Sequence, residues 1–211
     1  MSIIRLENIF KSFGERNLFT NLSMEIDQGD FVSIMGESGA GKTTLLNIIG
    51  MLEQPDKGSV TICGQRSLGF SSRTATMLRR NHISYLMQNY GLVDTETVEY
   101  NLAISARFKK LSKAQKKLLF SSALEQIGLP GYEKRKIYTL SGGEQQRVAL
   151  AKIIVKSPQL ILADEPTGSL DARNRDTVLA ALRHFNEEGK TIVVVTHDPT
   201  VNACAKKHIH L

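Results

Sequence analysis

Apolar residues in this chain gather into short, dense runs separated by polar stretches. Phe31 to Met35, Ile83 to Met87, Leu160 to Ala163 and Thr191 to Val195 are largely apolar blocks too short for helices. Blocks of that length, rich in β-branched residues, predict strands buried on both faces of a sheet. Ile3 to Glu7 predicts a further short strand, and His208 to Leu211 a last one. Ser59 to Cys63 alternates in the manner of a strand open to solvent, just after the turn chemistry of Gln54 to Gly58. Thr43 to Met51 and the stretch from about Ala172 to Glu188 predict helices. Strand, helix and strand in alternation predict an α/β fold with a mainly parallel sheet flanked by helices.

The segment from Asn89 to Lys156 has another texture. Thr97 to Phe108, Lys113 to Ile127 and Gly142 to Lys156 all predict helices, with no convincing strand among them. The loop Gly128-Leu129-Pro130-Gly131 separates the second from the third. The chain therefore predicts one domain over 1–211: an α/β core from 1–88 and 157–211, with a helical insertion at 89–156. There is no internal repeat and no low-complexity tail, and nothing is expected to remain for a regulatory domain.

Candidate chemistry sits at the ends of the apolar blocks. Residues 36 to 43 read Gly-Glu-Ser-Gly-Ala-Gly-Lys-Thr, a full match to the phosphate-loop pattern G-x-x-x-x-G-K-[ST], after a predicted strand and opening a predicted helix. Backbone N–H groups of Gly36, Glu37, Ser38, Gly39, Ala40 and Gly41, continuing through Thr44, suit phosphate oxygens, and the helix N-terminus adds partial positive charge. Lys42 is expected to reach the β- and γ-phosphates, and Thr43 to ligate Mg²⁺. Asp164 and Glu165 end the third apolar block, at the carboxyl edge where open α/β sheets bind ligands. Asp164 suits Mg²⁺, and Glu165 suits orienting or deprotonating an attacking water. His197 ends the fourth block, level with the phosphate loop, and suits a γ-phosphate contact.

Ser141-Gly142-Gly143-Glu144 reads as a capping box opening a helix. Two glycines in a first turn each cost up to about 1 kcal/mol in helix propensity relative to alanine. They also let an anion approach the N–H groups closely, which predicts a second phosphate-binding helix end. It is remote in sequence from Lys42, so one chain is not expected to bring both to one nucleotide. On the residues alone, Phe13 and Phe10 are rivals for an aromatic contact to a base, or core residues.

Composition narrows the class. The 41% hydrophobic and 23% charged residues are ordinary for a globular protein. No apolar run approaches the roughly 18 to 20 residues that span a bilayer, and the N-terminus is not expected to act as a signal peptide. Cys63 and Cys204 are far apart and outside any C-x-x-C pattern, as free thiols in a reducing cytoplasm would be. The net charge of +6 comes from dispersed lysines and arginines without the interleaved aromatics that stack bases, so solvated surface ranks first, a membrane surface second, and no nucleic acid is expected.

The order of phosphate loop, Leu140-Ser141-Gly142-Gly143-Glu144-Gln145, Asp164-Glu165, Ser169-Leu170-Asp171 and His197 resembles the nucleotide-binding subunit of ABC transporters over essentially the whole chain. The resemblance implies a P-loop NTPase cassette with an added antiparallel β subdomain. It implies ATP and Mg²⁺ as cofactors, a head-to-tail dimer of two copies with ATP between Lys42 of one and Ser141 to Gly143 of the other, and an integral membrane permease partner at the inner face of the cell membrane. By the same resemblance Gln88 senses Mg²⁺ and couples to that partner, Asp171 lies in the loop exchanged across the dimer, and Phe13 stacks on adenine. Glu165 to Asp171 is most similar to the lipoprotein-release, macrolide-export and antimicrobial-peptide-export subfamily, although Ser169 stands where those commonly carry Asn and Lys152 where many carry Arg. The alternatives are an ATPase driving a mechanical or regulatory membrane complex and a soluble ABC ATPase. The absence of an Asn-Lys-x-Asp pattern argues against a GTPase.

Overall fold

A computed structural model describes residues 1–66, 69–87, 89–168 and 170–211. The expected α/β architecture is present. Five strands, β3 (Phe31–Met35), β6 (Ile83–Leu86), β7 (Leu160–Asp164), β8 (Thr191–Val195) and β9 (Lys207–His210), form a parallel sheet in the order β6-β7-β8-β3-β9. Its central strands are buried on both faces, and alternate residues feed two different cores. Phe31, Ile161, Ala163, Ile192 and Val194 pack on one side with helix α6 (Ala172–Glu187) and the helices of the 89–156 segment. Val32, Ile34, Leu160, Leu162, Val193 and Val195 pack on the other with helix α1 (Lys42–Ile49). A strand with two apolar faces shows no alternation in sequence, which is why these blocks are so dense.

The second core is closed by an antiparallel sheet of order β2-β1-β4-β5. It comprises β1 (Ser2–Phe13), β2 (Arg16–Asp27), β4 (Lys57–Ile62) and the two-residue β5 (Gln65–Arg66). The expected strand over Ile3 to Glu7 is thus the N-terminal half of a much longer one. Its hairpin partner β2 carries no clear pattern, because most of its residues are exposed or half-buried, and the short helix α2 (Arg73–Asn81) buries only Ala75 and Leu78.

The 89–156 segment holds α3 (Val98–Ser105), α4 (Lys113–Gln126) and α5 (Gly142–Lys156), with a 3-10 turn at Ile137–Thr139 and one isolated antiparallel bridge between Thr97 and Lys136. The helix expected over Thr97 to Phe108 is shorter at both ends: Thr97 is its N-cap, accepting from the Tyr100 N–H, and Ala106 is its C-cap. Among the described residues, no helix is long and apolar enough to cross a membrane.

Candidate functional site

The sheet order decides where the site lies. β7, β8 and β3 are neighbours and all point the same way, so the residues following each arrive at one carboxyl edge. A cleft of about 610 Å³ opens there, lined by Phe13, Arg16, Leu18, Ser38, Gly39, Gly41, Lys42, Thr43, Thr44, Asp164, Glu165, Gly168, Val195 and His197. Most of the residues expected at the first site are therefore brought together. Gln88 lies outside the described residues.

The loop from Gly36 to Gly41 turns because Gly36, Gly39 and Gly41 adopt positive φ. At Gly41 this is compulsory twice over. A Cβ there would also meet the Leu18 side chain at 2.7 Å and the Phe19 ring at 2.9 Å. Ala40 donates its N–H to Glu37 O (3.1 Å), and Lys42, only 7% exposed, donates from Nζ to Gly36 O (2.9 Å) and Glu37 O (2.8 Å). A buried ammonium is thus held at the centre of the loop. Helices α2 to α6 each carry a side-chain N-cap, from Ser72, Thr97, Ser112, Ser141 and Asp171, whereas α1 has none. Among the described residues no side chain caps its first-turn N–H groups, which leaves them for another acceptor and fits a phosphate.

Thr43 Oγ1 donates to Asp164 Oδ1 at 3.3 Å. Burial holds the Asp164 carboxyl above its ordinary range, opposed by the Thr43 hydroxyl and the charge of Lys42. A hydroxyl and a carboxylate are hard oxygen donors, and two protein ligands beside a phosphate site suit Mg²⁺. No cluster of three His, Cys, Asp or Glu capable of caging a metal alone occurs among the described residues.

Glu165 has φ +44°, a left-handed conformation uncommon for a side chain of its size. It is held there because its N–H continues the sheet to Val195 O (2.9 Å) while its own carbonyl accepts from Gly168 (3.2 Å). The turn presents the carboxylate to His197, whose Nε2 is 3.7 Å from Oε1 and whose backbone N–H donates to Oε2 at 3.4 Å.

Ser141 to Glu144 and Asp171 lie elsewhere. Ser141, Glu144 and Asp171 line a separate cleft of about 690 Å³ together with Arg147, Arg173 and Asn174, sharing no residue with the first. The capping box is complete: Ser141 Oγ accepts from the Glu144 N–H (3.3 Å) and Glu144 Oε2 accepts from the Ser141 N–H (2.8 Å). That backbone N–H, helped by the Tyr132 hydroxyl, holds the Glu144 carboxyl below its ordinary range against partial burial. At Gly143 the structure supplies a reason for glycine that propensity does not reveal. A Cβ there would stand 2.4 Å from the Asn174 side chain.

Of the two aromatic rivals, Phe13 lines the first cleft and Phe10 does not. Phe10 lies under the Lys57 ammonium at 5.9 Å. Arg16 has no counterpart among the sequence-based expectations. It sits on the hairpin strand β2 and donates to Gly39 O at 2.9 Å, a contact with no local sequence signature.

Residues 19–168 match the family model described as ABC transporter. The chain is 38% identical over its full length to the macrolide export ATP-binding/permease protein MacB of Mannheimia succiniciproducens, and 37% identical over 99% of its length to that of Escherichia coli. It spans about a third of the length of these curated relatives, 33% in each. The dimeric ATP-binding cassette MJ0796 in a post-hydrolysis state, bound to ADP and Pi, superimposes with a TM-score of 0.90 at 35% identity, covering 99% of this chain and 94% of that one.

Proposed function

The chain belongs to the ABC transporter family, and on that premise we propose that it is an ATP-hydrolysing cassette that works as a head-to-tail dimer to drive a separate membrane protein in export. One observation carries the reading. The Lys42 loop, Thr43–Asp164 and Glu165–His197 converge on one cleft, while the Ser141 helix end lies in another. A second copy is what brings such a helix end to the open side of the first cleft.

The loop from Gly36 to Thr44 holds the phosphates of ATP by backbone N–H groups and the Lys42 ammonium. Thr43 and Asp164 hold Mg²⁺, with Gln88 as a further ligand. When bound, that ion neutralises the charge on the β- and γ-phosphates. Glu165 accepts a proton from the attacking water, and His197, beside it, contacts the γ-phosphate. Phe13 supplies the ring on which adenine stacks. Ser141, Gly142, Gly143 and Glu144, with Asp171, serve the partner copy's nucleotide. Segment 89–156 acts as a helical unit, and its exposed Val93, Tyr100 and Ile104, with Met87 beside it, offer apolar surface to a membrane permease at the inner face of the membrane.

The test uses Glu165→Gln. With ATP and Mg²⁺ this variant is expected to accumulate as a dimer by light scattering and to hydrolyse ATP about 100-fold or more slowly. A cross-linked pull-down from native membranes with the same variant is expected to recover an integral membrane protein. Undiminished hydrolysis would overturn the role of Glu165 as base, and recovery of soluble partners alone would overturn the membrane reading.

A further inference from the structure

Beside Phe13 stands a charge that the nucleotide chemistry does not use. Lys11 is 7% exposed, and its ammonium meets four groups at once. Nζ donates to Glu53 Oε1 at 2.5 Å and to Gln54 O at 2.9 Å, stands 3.7 Å from Asp56 Oδ1, and lies 4.8 Å from the centroid of the Phe13 ring. The 53–56 turn is itself tied to the same strand end. Asp56 Oδ2 accepts from the Ser12 N–H (2.7 Å) and Oγ (2.9 Å), and the Asp56 N–H donates to Phe10 O (2.8 Å). The lysine therefore has one place to be, fixed from the turn side, and the ring lies against it.

An exposed phenylalanine has little else to hold its ring in one orientation, and Phe13 is 52% exposed at the rim of the cleft. A cation over the ring is attracted by its quadrupole, and more strongly when desolvated, as Lys11 is. It stands over one face of a ring that is half exposed where it borders the cleft.

We propose that Lys11, anchored by Glu53 and Gln54, is the positioning residue for the purine base: it pins one face of Phe13 so that the other is presented, pre-oriented, to adenine. The inference rests on the reading of Phe13 as the adenine platform. Lys11 touches no part of the nucleotide and acts only through the ring. The ring is ordered before the base arrives, so less conformational freedom is lost on binding.

The experiment compares dissociation constants for ATP and for inorganic tripolyphosphate, which has no base, in the full chain. Phe13→Ala is expected to weaken ATP by about 5- to 150-fold and leave tripolyphosphate unchanged. Lys11→Met is expected to weaken ATP by about 3- to 30-fold with tripolyphosphate again unchanged, and to have no further effect on ATP in the Phe13→Ala background. Lys11→Arg, which keeps a cation suited to stacking on an aromatic face, is expected to retain most of the ATP affinity. Equal weakening of ATP and tripolyphosphate by Lys11→Met, or an undiminished effect without the Phe13 ring, would show a general disturbance of the loop and overturn the proposal. An Arg variant as weak as the Met variant would overturn the role of the charge. If Phe13→Ala leaves ATP affinity intact, the adenine platform itself is wrong and this inference falls with it, while the roles of Lys42 and Glu165 stand untouched.

Discussion

The Thr43 hydroxyl donates to Asp164 Oδ1 at 3.3 Å across 121 residues of chain. The contact joins the first turn of α1 to the end of β7, and so ties the phosphate loop to the acidic strand end. If these two oxygens hold Mg²⁺, Asp164→Asn should raise the Mg²⁺ needed for half-maximal hydrolysis by about tenfold or more and lower kcat by about 100-fold. Binding of ATP in EDTA should be preserved. A Mg²⁺ titration of activity, with metal-free ATP binding alongside, checks this, and an unchanged Mg²⁺ requirement would sink the assignment.

Arg16 braces the phosphate loop from outside by its bond to Gly39 O. Arg16→Ala should weaken ATP about two- to tenfold through a looser loop, as loss of one charge-assisted hydrogen bond at an exposed position allows. Thermal stability should stay within about 0.5 kcal/mol of the parent, since the side chain is exposed. Equilibrium binding and a melting curve on the same sample separate the two effects.

Gly143 and Asn174 make a second pair whose coupling can be measured. Asn174 is held from both sides: its Nδ2 donates to Asp171 Oδ2 (2.8 Å) and its Oδ1 accepts from Arg147 (2.7 Å). Gly143→Ala should push the amide out of that bracket and destabilise the chain by about 1–3 kcal/mol. In an Asn174→Ala background the clash is gone, and the same substitution should become neutral or stabilising by up to about 1 kcal/mol through helix propensity. Denaturant melts of the four proteins in the cycle decide it, and additive effects would refute the clash.

Lys156 offers a pH signature. Its ammonium donates to the carbonyls of Arg79 (2.7 Å) and Ile83, and burial, with the Lys152 charge nearby, lowers its pKa from 10.5 to about 8. The folded value therefore lies below the unfolded one. Between pH 8 and 10.5 the unfolded chain binds more protons, and stability from this group is gained as pH rises through that window. The parent should gain stability from about pH 8 to 10 relative to Lys156→Met, whatever the absolute values. Parallel stability–pH curves for the two proteins would contradict the shift.

Much of this protein is determined by local sequence. The dense blocks at 31–35, 160–163 and 191–195 can only be strands covered on both sides, because no other short element hides every side chain. The Gly-rich loop and the Ser141–Glu144 capping box are equally local: each is written in a few consecutive residues whose backbone needs are specific. The long hairpin of β1 and β2 is not legible beyond Ile3 to Glu7. Its stability comes from register against β4 and from one buried face, and its exposed residues blur the alternation. Only the tertiary structure decided that β7, β8 and β3 lie side by side, so that Glu165, His197 and Lys42 share a cleft while Ser141 does not. It alone placed Phe13, and not Phe10, at the rim of that cleft, brought Arg16 to Gly39, and set Asn174 against Gly143. Those pairings depend on how separate elements cross in space. Short-range pattern records what a backbone segment needs, whereas such contacts arise only once distant segments pack.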